Sequence, residues 1–262
     1  MKPNVKVIDR LGKKLGGENP LLCTTLLGRT RERLLAEAIN VIAQKPDLVE
    51  WRVDHFDAVG DTATVIATLR ALRTLARTVP IIFACRSIEE GGERIPIDAD
   101  RVVDLCAAVS ATRLVDFIDF EMGNHRDNVC RVRKETQAHE IRLILSYHNF
   151  SYTPGLEFMV ERFLEAERLG ADIAKVAVMP RDRMDVLTLL AATAQADAKA
   201  RIPLISVSMG PLGAVTGMIG GLFGSGLSFA VSASASAPGH IPIGDLVTAC
   251  DIIRRARGGE LY

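Results

Sequence analysis

The sequence has no excess charge of either sign, since thirty-two basic side chains are matched by thirty-two acidic ones. A protein that grips a polyanion by general electrostatics needs a basic surplus, so nucleic acid is not an expected partner. Long hydrophobic runs are also missing. Stretches such as Ile202 to Val207 and Leu227 to Val231 fall far short of the roughly 18 residues of a membrane span, and Gly or Ser interrupts those that might be joined. No membrane partner is expected. The start, MKPNVKVIDRLGKKLGG, is basic but has no apolar core of a secretory signal, which makes the cytoplasm the expected location. The five cysteines are odd in number and widely spaced, and no C-x-x-C pair occurs. They fit reduced core thiols better than a disulfide framework or a zinc site. No histidine and carboxylate grouping has metal-ligand spacing, so no metal is expected. Nothing like G-x-G-x-x-G follows the first apolar run, which weakens any dinucleotide-binding reading.

What is present is ample core material: 48% hydrophobic against 24% charged residues, outside the composition of disorder. Short runs rich in Val, Ile and Leu alternate with longer segments of helical period almost from end to end. The candidate strands are 21–27, 48–53, 81–86, 115–121, 142–147, 173–178, 204–209 and 227–231. Amphipathic stretches lie between them at 30–44, 62–78, 99–109, 156–169 and 184–199, with a last one at 245–257. Only the Gly-rich piece 214–223 is a poor helix by propensity. Eight strands, each followed by a helix, predict an α/β fold of the (β/α)8 TIM-barrel type, a single domain over residues 1–262. An open doubly wound sheet is the rival. A short extra strand at Val5–Ile8 is expected to close the barrel floor.

A parallel strand buried on both faces should be nearly all apolar, so charges inside these strands point to function. Lys175 stands midway along the sixth strand among Ile173, Val176, Ala177 and Val178. Either its stem leans outward to water or a carboxylate, or the amine points into the barrel mouth, where desolvation lowers its pKa until it attacks a ketone. Glu50 and Arg52 share one side of the second strand with Asp54 at its end, and Asp119 and Glu121 repeat the pattern on the fourth. They are either structural ion pairs or groups aimed at a ligand. Arg86 opens the loop SIEEGGER, whose acids Glu89 and Glu90 would be merely solvated in most loops. His148 lies just beyond the fifth strand, one strand from Lys175, where it can move protons near pH 7 beside an imine. An imine is itself an electron sink, so neither metal nor cofactor is called for. Arg29, Arg31, Arg181 and Arg183 follow strands and should lie near the mouth.

With these residues assembled, the chain resembles the type I 3-dehydroquinate dehydratases, Schiff-base-forming enzymes of the shikimate pathway of aromatic amino acid biosynthesis. The likeness runs through EWRVDHF at Glu50, CRSIEEGGE around Arg86 and Glu90, IDFE at Asp119, SYHNF at His148, GADIAKVAVMP at Lys175, the following DVLTLL, and SASAPG near the C-terminus. It implies that Lys175 forms an imine with the ring ketone of a cyclic hydroxy-ketone carboxylate. It implies that His148 moves the protons and that Glu90 orients it. Glu50, Arg52, Arg86, Ser236 and His240 would bind substrate, and the enzyme would be a homodimer. Two positions depart from the pattern. Gly217 stands where the family carries a carboxylate-binding arginine, and His240 where it carries glutamine. Arg181 is the expected replacement cation. Three readings stay open at this point: 3-dehydroquinate dehydration, a related Schiff-base lyase acting on another ketone, and a weakly active metabolite-binding paralogue.

Overall fold

The Val-, Ile- and Leu-rich runs form eight parallel strands: β1 (Leu21–Leu26), β2 (Leu48–Arg52), β3 (Ile81–Ala84), β4 (Phe117–Glu121), β5 (Arg142–Asn149), β6 (Ile173–Val178), β7 (Leu204–Ser208) and β8 (Leu227–Ala230). The computed structural model describes residues 6–17, 19–232, 239 and 241–257. Strands pair in sequence order from β1 to β7, and β8 returns to pair with β1. The circle all but closes through one parallel bridge, Leu204 to Ser225, where the Gly226 N–H donates to the Leu204 carbonyl at 2.7 Å. The expected (β/α)8 barrel is therefore the observed fold.

The helical-period segments form an outer layer: α1 (Arg31–Ala43), α2 (Thr62–Leu75), α3 (Ala99–Thr112), α4 (Arg126–Ala138), α5 (Leu156–Arg168), α6 (Arg183–Asp197), α7 (Val215–Ile219) and α8 (Ile243–Ala256). Each of the longer ones turns one stripe inward, as in α5, where Met159, Val160, Phe163 and Ala166 recur at helical spacing and are buried. Thr30, Asp61, Asp98 and Asp182 cap α1, α2, α3 and α6 by accepting from first-turn N–H groups. The Gly-rich stretch 214–223 that propensity disfavours breaks into α7 and a 3-10 turn Gly220–Phe223, preceded by the single turn Gly210–Gly213.

Inward-facing residues recur every second position along each strand and so stack in rings. The lowest ring is apolar: Cys23, Leu48, Ile82, Phe117, Ile144, Ile173, Ile205 and Leu227 form one buried cluster. Leu15 completes that cluster from below, with only 1% of its surface exposed. It arrives on a hairpin, not on the single strand expected at Val5–Ile8. Ile8–Arg10 pairs antiparallel with Lys13–Leu15, and the two-residue turn puts both Leu11 (φ 51°) and Gly12 (φ 79°) in the left-handed region, as a tight hairpin turn demands.

Three aspartates just before even-numbered strands tie the floor together in the same way. Asp47 donates its N–H to the Leu22 carbonyl and accepts the Leu22 N–H on its carboxylate; Asp116 does so with Ile81, and Asp172 with Leu143. Each carboxylate also holds a cation: Lys13 at 2.6 Å, Arg73 at 2.5 Å and Arg133 at 2.5 Å respectively.

Candidate active site

Two residues above the apolar ring, the same strand period brings Thr25, Glu50, Ala84, Asp119, Ser146, Lys175, Val207 and Phe229 to one level. Lys175 points inward, which settles its two readings. Its Nζ lies 2.8 Å from Asp119 Oδ2, 3.1 Å from Glu50 Oε1 and 4.7 Å from the centre of the Phe229 ring. Burial alone pulls the lysine pKa down, but Asp119 and Glu50 outweigh it, and the net shift is upward. The expected depressed amine is thus corrected: the resting group is a compensated ammonium, because two carboxylates surround it where the strand pattern suggested only apolar neighbours.

Arg86 is the hub of the network, its guanidinium almost wholly buried. Nη1 donates to Ser146 Oγ at 2.9 Å and to Glu121 Oε1 at 3.3 Å, while Nη2 forms an ion pair with Asp119 Oδ1 at 2.9 Å and Glu90 Oε2 lies 3.8 Å from Nη1. A buried guanidinium is tolerable only when its charge is compensated, and two hydrogen bonds together with three neighbouring carboxylates do that. Ser146 accepts from Arg86 and donates to Asp119 Oδ1 at 2.6 Å. Asp119, although buried, is held well below the usual carboxylate range by Arg86 and Lys175.

One strand further on, His148 Nδ1 lies 2.8 Å from Glu90 Oε2, an oxygen that also accepts the His148 backbone N–H at 3.1 Å. Burial, with Glu121 close by, raises the Glu90 pKa to about 8; burial and the charges of Arg86 and Lys175 push His148 well below its ordinary value. At neutral pH the imidazole is therefore neutral and can act as a base. Glu90 reaches it because its loop is pinned. The Asp54 carboxylate takes two bonds from Arg52, both at 2.8 Å, and accepts the N–H groups of Arg86 and Glu93, each at 3.2 Å.

The structure thus gathers Glu50, Arg52, Arg86, Glu90, His148 and Lys175. It does not bring Arg181 to this network: that side chain is 67% exposed, held by Asp185 and lying over the Tyr152 ring. Arg29 is likewise outside, paired with Asp57. Ser236 and His240 lie outside the described residues. At Gly217 an added Cβ would meet only Ile241 and Leu246 side-chain atoms, at 3.8 and 3.9 Å, so a larger residue has room to start there. From the sequence, Asp54 and Asp119 stood between structural ion pairs and groups aimed at a ligand, and Ser146 was not singled out; counting back two from His148 would have found it.

A buried amine, a neutral imidazole and a carboxyl partner set in the mouth of a (β/α)8 barrel are the groups that acid–base and nucleophilic chemistry calls for. The profile of the type I 3-dehydroquinase family matches residues 22–257. A 3-dehydroquinate dehydratase of Albidiferax ferrireducens is 51% identical over 254 residues, covering 97% of this chain and 96% of that one. The one from Geobacillus thermodenitrificans is 44% identical over 241 residues, covering 92% and 93%. Among solved structures, the 3-dehydroquinate dehydratase of Geobacillus kaustophilus superposes with a TM-score of 0.93 at 40% identity, covering 97% of this chain and 99% of that chain. The type I enzyme of Clostridium difficile, solved with covalently modified comenic acid, gives 0.93 at 33%, covering 98% and 100%. The chain belongs to the type I 3-dehydroquinase family, a family of hydro-lyases.

Proposed function

We propose that this chain eliminates water from 3-dehydroquinate to give 3-dehydroshikimate through an imine at Lys175. The observation that carries the reading is the juxtaposition of the Lys175 amine with His148, which stands on the neighbouring strand and is paired with Glu90, above an apolar floor. Once the ammonium has lost its proton, Nζ adds to the ketone carbon and the carbinolamine sheds water to an iminium. His148 takes a proton from the carbon beside it. The enamine electrons then expel the β-hydroxyl, which leaves as water with the proton that His148 returns. Hydrolysis of the remaining iminium frees product and lysine, so one water is lost overall. Glu50 and Asp119 hold the amine in place, while Arg52 and Arg86 are available to substrate hydroxyls. The names of the relatives support this substrate over another ketone or a mere binder.

For the substrate carboxylate the candidate cation is Arg181, three residues past the end of β6 and mostly exposed, which would have to leave Asp185 and the Tyr152 ring to reach it. An unpaired carboxylate in a dry site is costly, and a lost bidentate contact is worth about 1.5–3 kcal/mol. Arg181→Ala should raise KM for 3-dehydroquinate. An unchanged KM there, together with a much lower KM in Gly217→Arg, would point to a different natural substrate. Ser236 and His240 are assigned to the substrate on the family likeness, as are the homodimer and the cytoplasmic location, the dimer being checked by light scattering in solution.

The direct test is borohydride reduction with 3-dehydroquinate present, which should add one ligand mass per chain on Lys175 while enone absorbance grows during turnover. An unmodified Lys175 under turnover conditions excludes the imine.

A further inference from the structure

Ser146 is a buried polar side chain of the charged level whose role neither binding nor proton transfer explains. It is fully buried on β5, directly beside Lys175 in the strand register. Its hydroxyl has a fixed direction. Oγ accepts from Arg86 Nη1 at 2.9 Å and donates to Asp119 Oδ1 at 2.6 Å, far nearer than the other acceptor within reach, the Phe120 carbonyl at 3.5 Å. The other oxygen of the same carboxylate, Oδ2, lies 2.8 Å from Lys175 Nζ. One carboxylate is thus clamped on one edge and offered to the amine with the other.

We propose that Ser146 is a positioning residue that acts on Lys175 through Asp119, fixing which carboxylate oxygen faces the amine and diluting the negative charge that the amine meets. This rests on the imine reading above. A hydroxyl donating to Asp119 competes with the ammonium for the same anion, so the hydrogen bond eases loss of the lysine proton. The other groups facing the amine set the background against which this works. Cys23 and Thr25 stand on β1, Glu50 on β2, Arg86 and Glu90 in the loop after β3, Glu121 on β4 with Asp119, and His148 on β5. Among the described residues, the β7 and β8 side offers Ile205, Val207 and the Phe229 ring.

The test compares the rate of borohydride-trapped adduct on Lys175 against pH in the wild type, Ser146→Ala and Ser146→Thr, with steady-state constants for each. Removing one hydrogen bond to a charged group should lower kcat about tenfold with KM almost unchanged. The pH midpoint of trapping should move up by about one unit in Ser146→Ala. Ser146→Thr, which keeps the hydroxyl, should restore the wild-type midpoint. Should Ser146→Ala fail to fold, the near-isosteric Ser146→Cys, a weak donor, must show the same upward move. An alanine variant with the wild-type midpoint and kcat overturns the proposal, as does a threonine variant that shifts like alanine. A wild type that is never trapped on Lys175 overturns the imine reading as well; a trapped wild type with an unmoved variant overturns only the part assigned to Ser146.

Discussion

The mouth of the barrel has two unlike halves built on one ring of strands. From β2 to β6 the inward positions carry Glu50, Arg86, Asp119, Glu121, Ser146, His148 and Lys175, each tied to another by a hydrogen bond or ion pair. Across β7 and β8 the same level offers Val207 and Phe229, packed on the apolar floor. The first half can hold and move protons only because its charges compensate one another; the second keeps water from competing for them. Lys175 stands at the seam, with carboxylates on one side and an aromatic face on the other. Both neighbours hold the ammonium, the carboxylates by ion pairing and the ring by a cation–π contact.

The division is broken most severely at the seam. Lys175→Met should abolish the borohydride adduct and lower turnover by on the order of 10⁴- to 10⁶-fold, as measured by enone absorbance. Within the charged half, His148→Ala should lose about 10²- to 10⁴-fold in kcat yet still form the adduct slowly, because amine attack and proton transfer are separate steps. Near-normal turnover by this variant would show that the base is another group. The pH dependence sharpens the same half. Since the folded protein raises the Lys175 pKa, the reactive amine is scarce at low pH and its fraction grows as pH rises. Trapping should therefore accelerate toward alkaline pH, and a flat profile would mean that Asp119 and Glu50 do not hold the ammonium. On the apolar half, Phe229→Leu removes a cation–π contact worth about 0.5–2 kcal/mol and should change kcat/KM by tenfold or less. Smallest for catalysis is a change in the floor. Asp172→Ala strands the Arg133 and Leu143 partners and should lower the melting temperature through a loss of about 1–3 kcal/mol, with kcat untouched.

How legible these features were in the sequence differs by the kind of signal they leave. Strands such as β6 were plain because a fully buried strand is a short apolar run with sharp ends, and Ile173–Val178 lies where the pattern put it. The helix α4 was not read: RDNVCRVRKETQA buries only Val129, Val132 and Thr136, so its inward stripe is too thin to stand out from a polar connection. Cys130 on that helix is exposed, unlike the core thiols Cys23 and Cys106. The floor strand became a hairpin because a Leu11–Gly12 turn in the left-handed region leaves little trace in composition. In the site, charged residues inside apolar strands announced themselves, but their mutual compensation did not. That Asp119 faces Lys175 from two strands away is a consequence of barrel closure, which no local window contains. The direction of the lysine pKa followed from that contact and was therefore misjudged.

The aspartates ahead of β2, β4 and β6 have a bearing on chain connectivity. Each joins its strand to the strand before it by two reciprocal hydrogen bonds and fixes a cation from the outer layer or the hairpin. The unit of construction over three quarters of the barrel is thus a clamped pair of strands. Circular permutation should respect it. A chain reopened in the turn after α2 or α4 keeps every pair contiguous, whereas one reopened after α1, α3 or α5 sends the two members of a pair to opposite ends of the polypeptide.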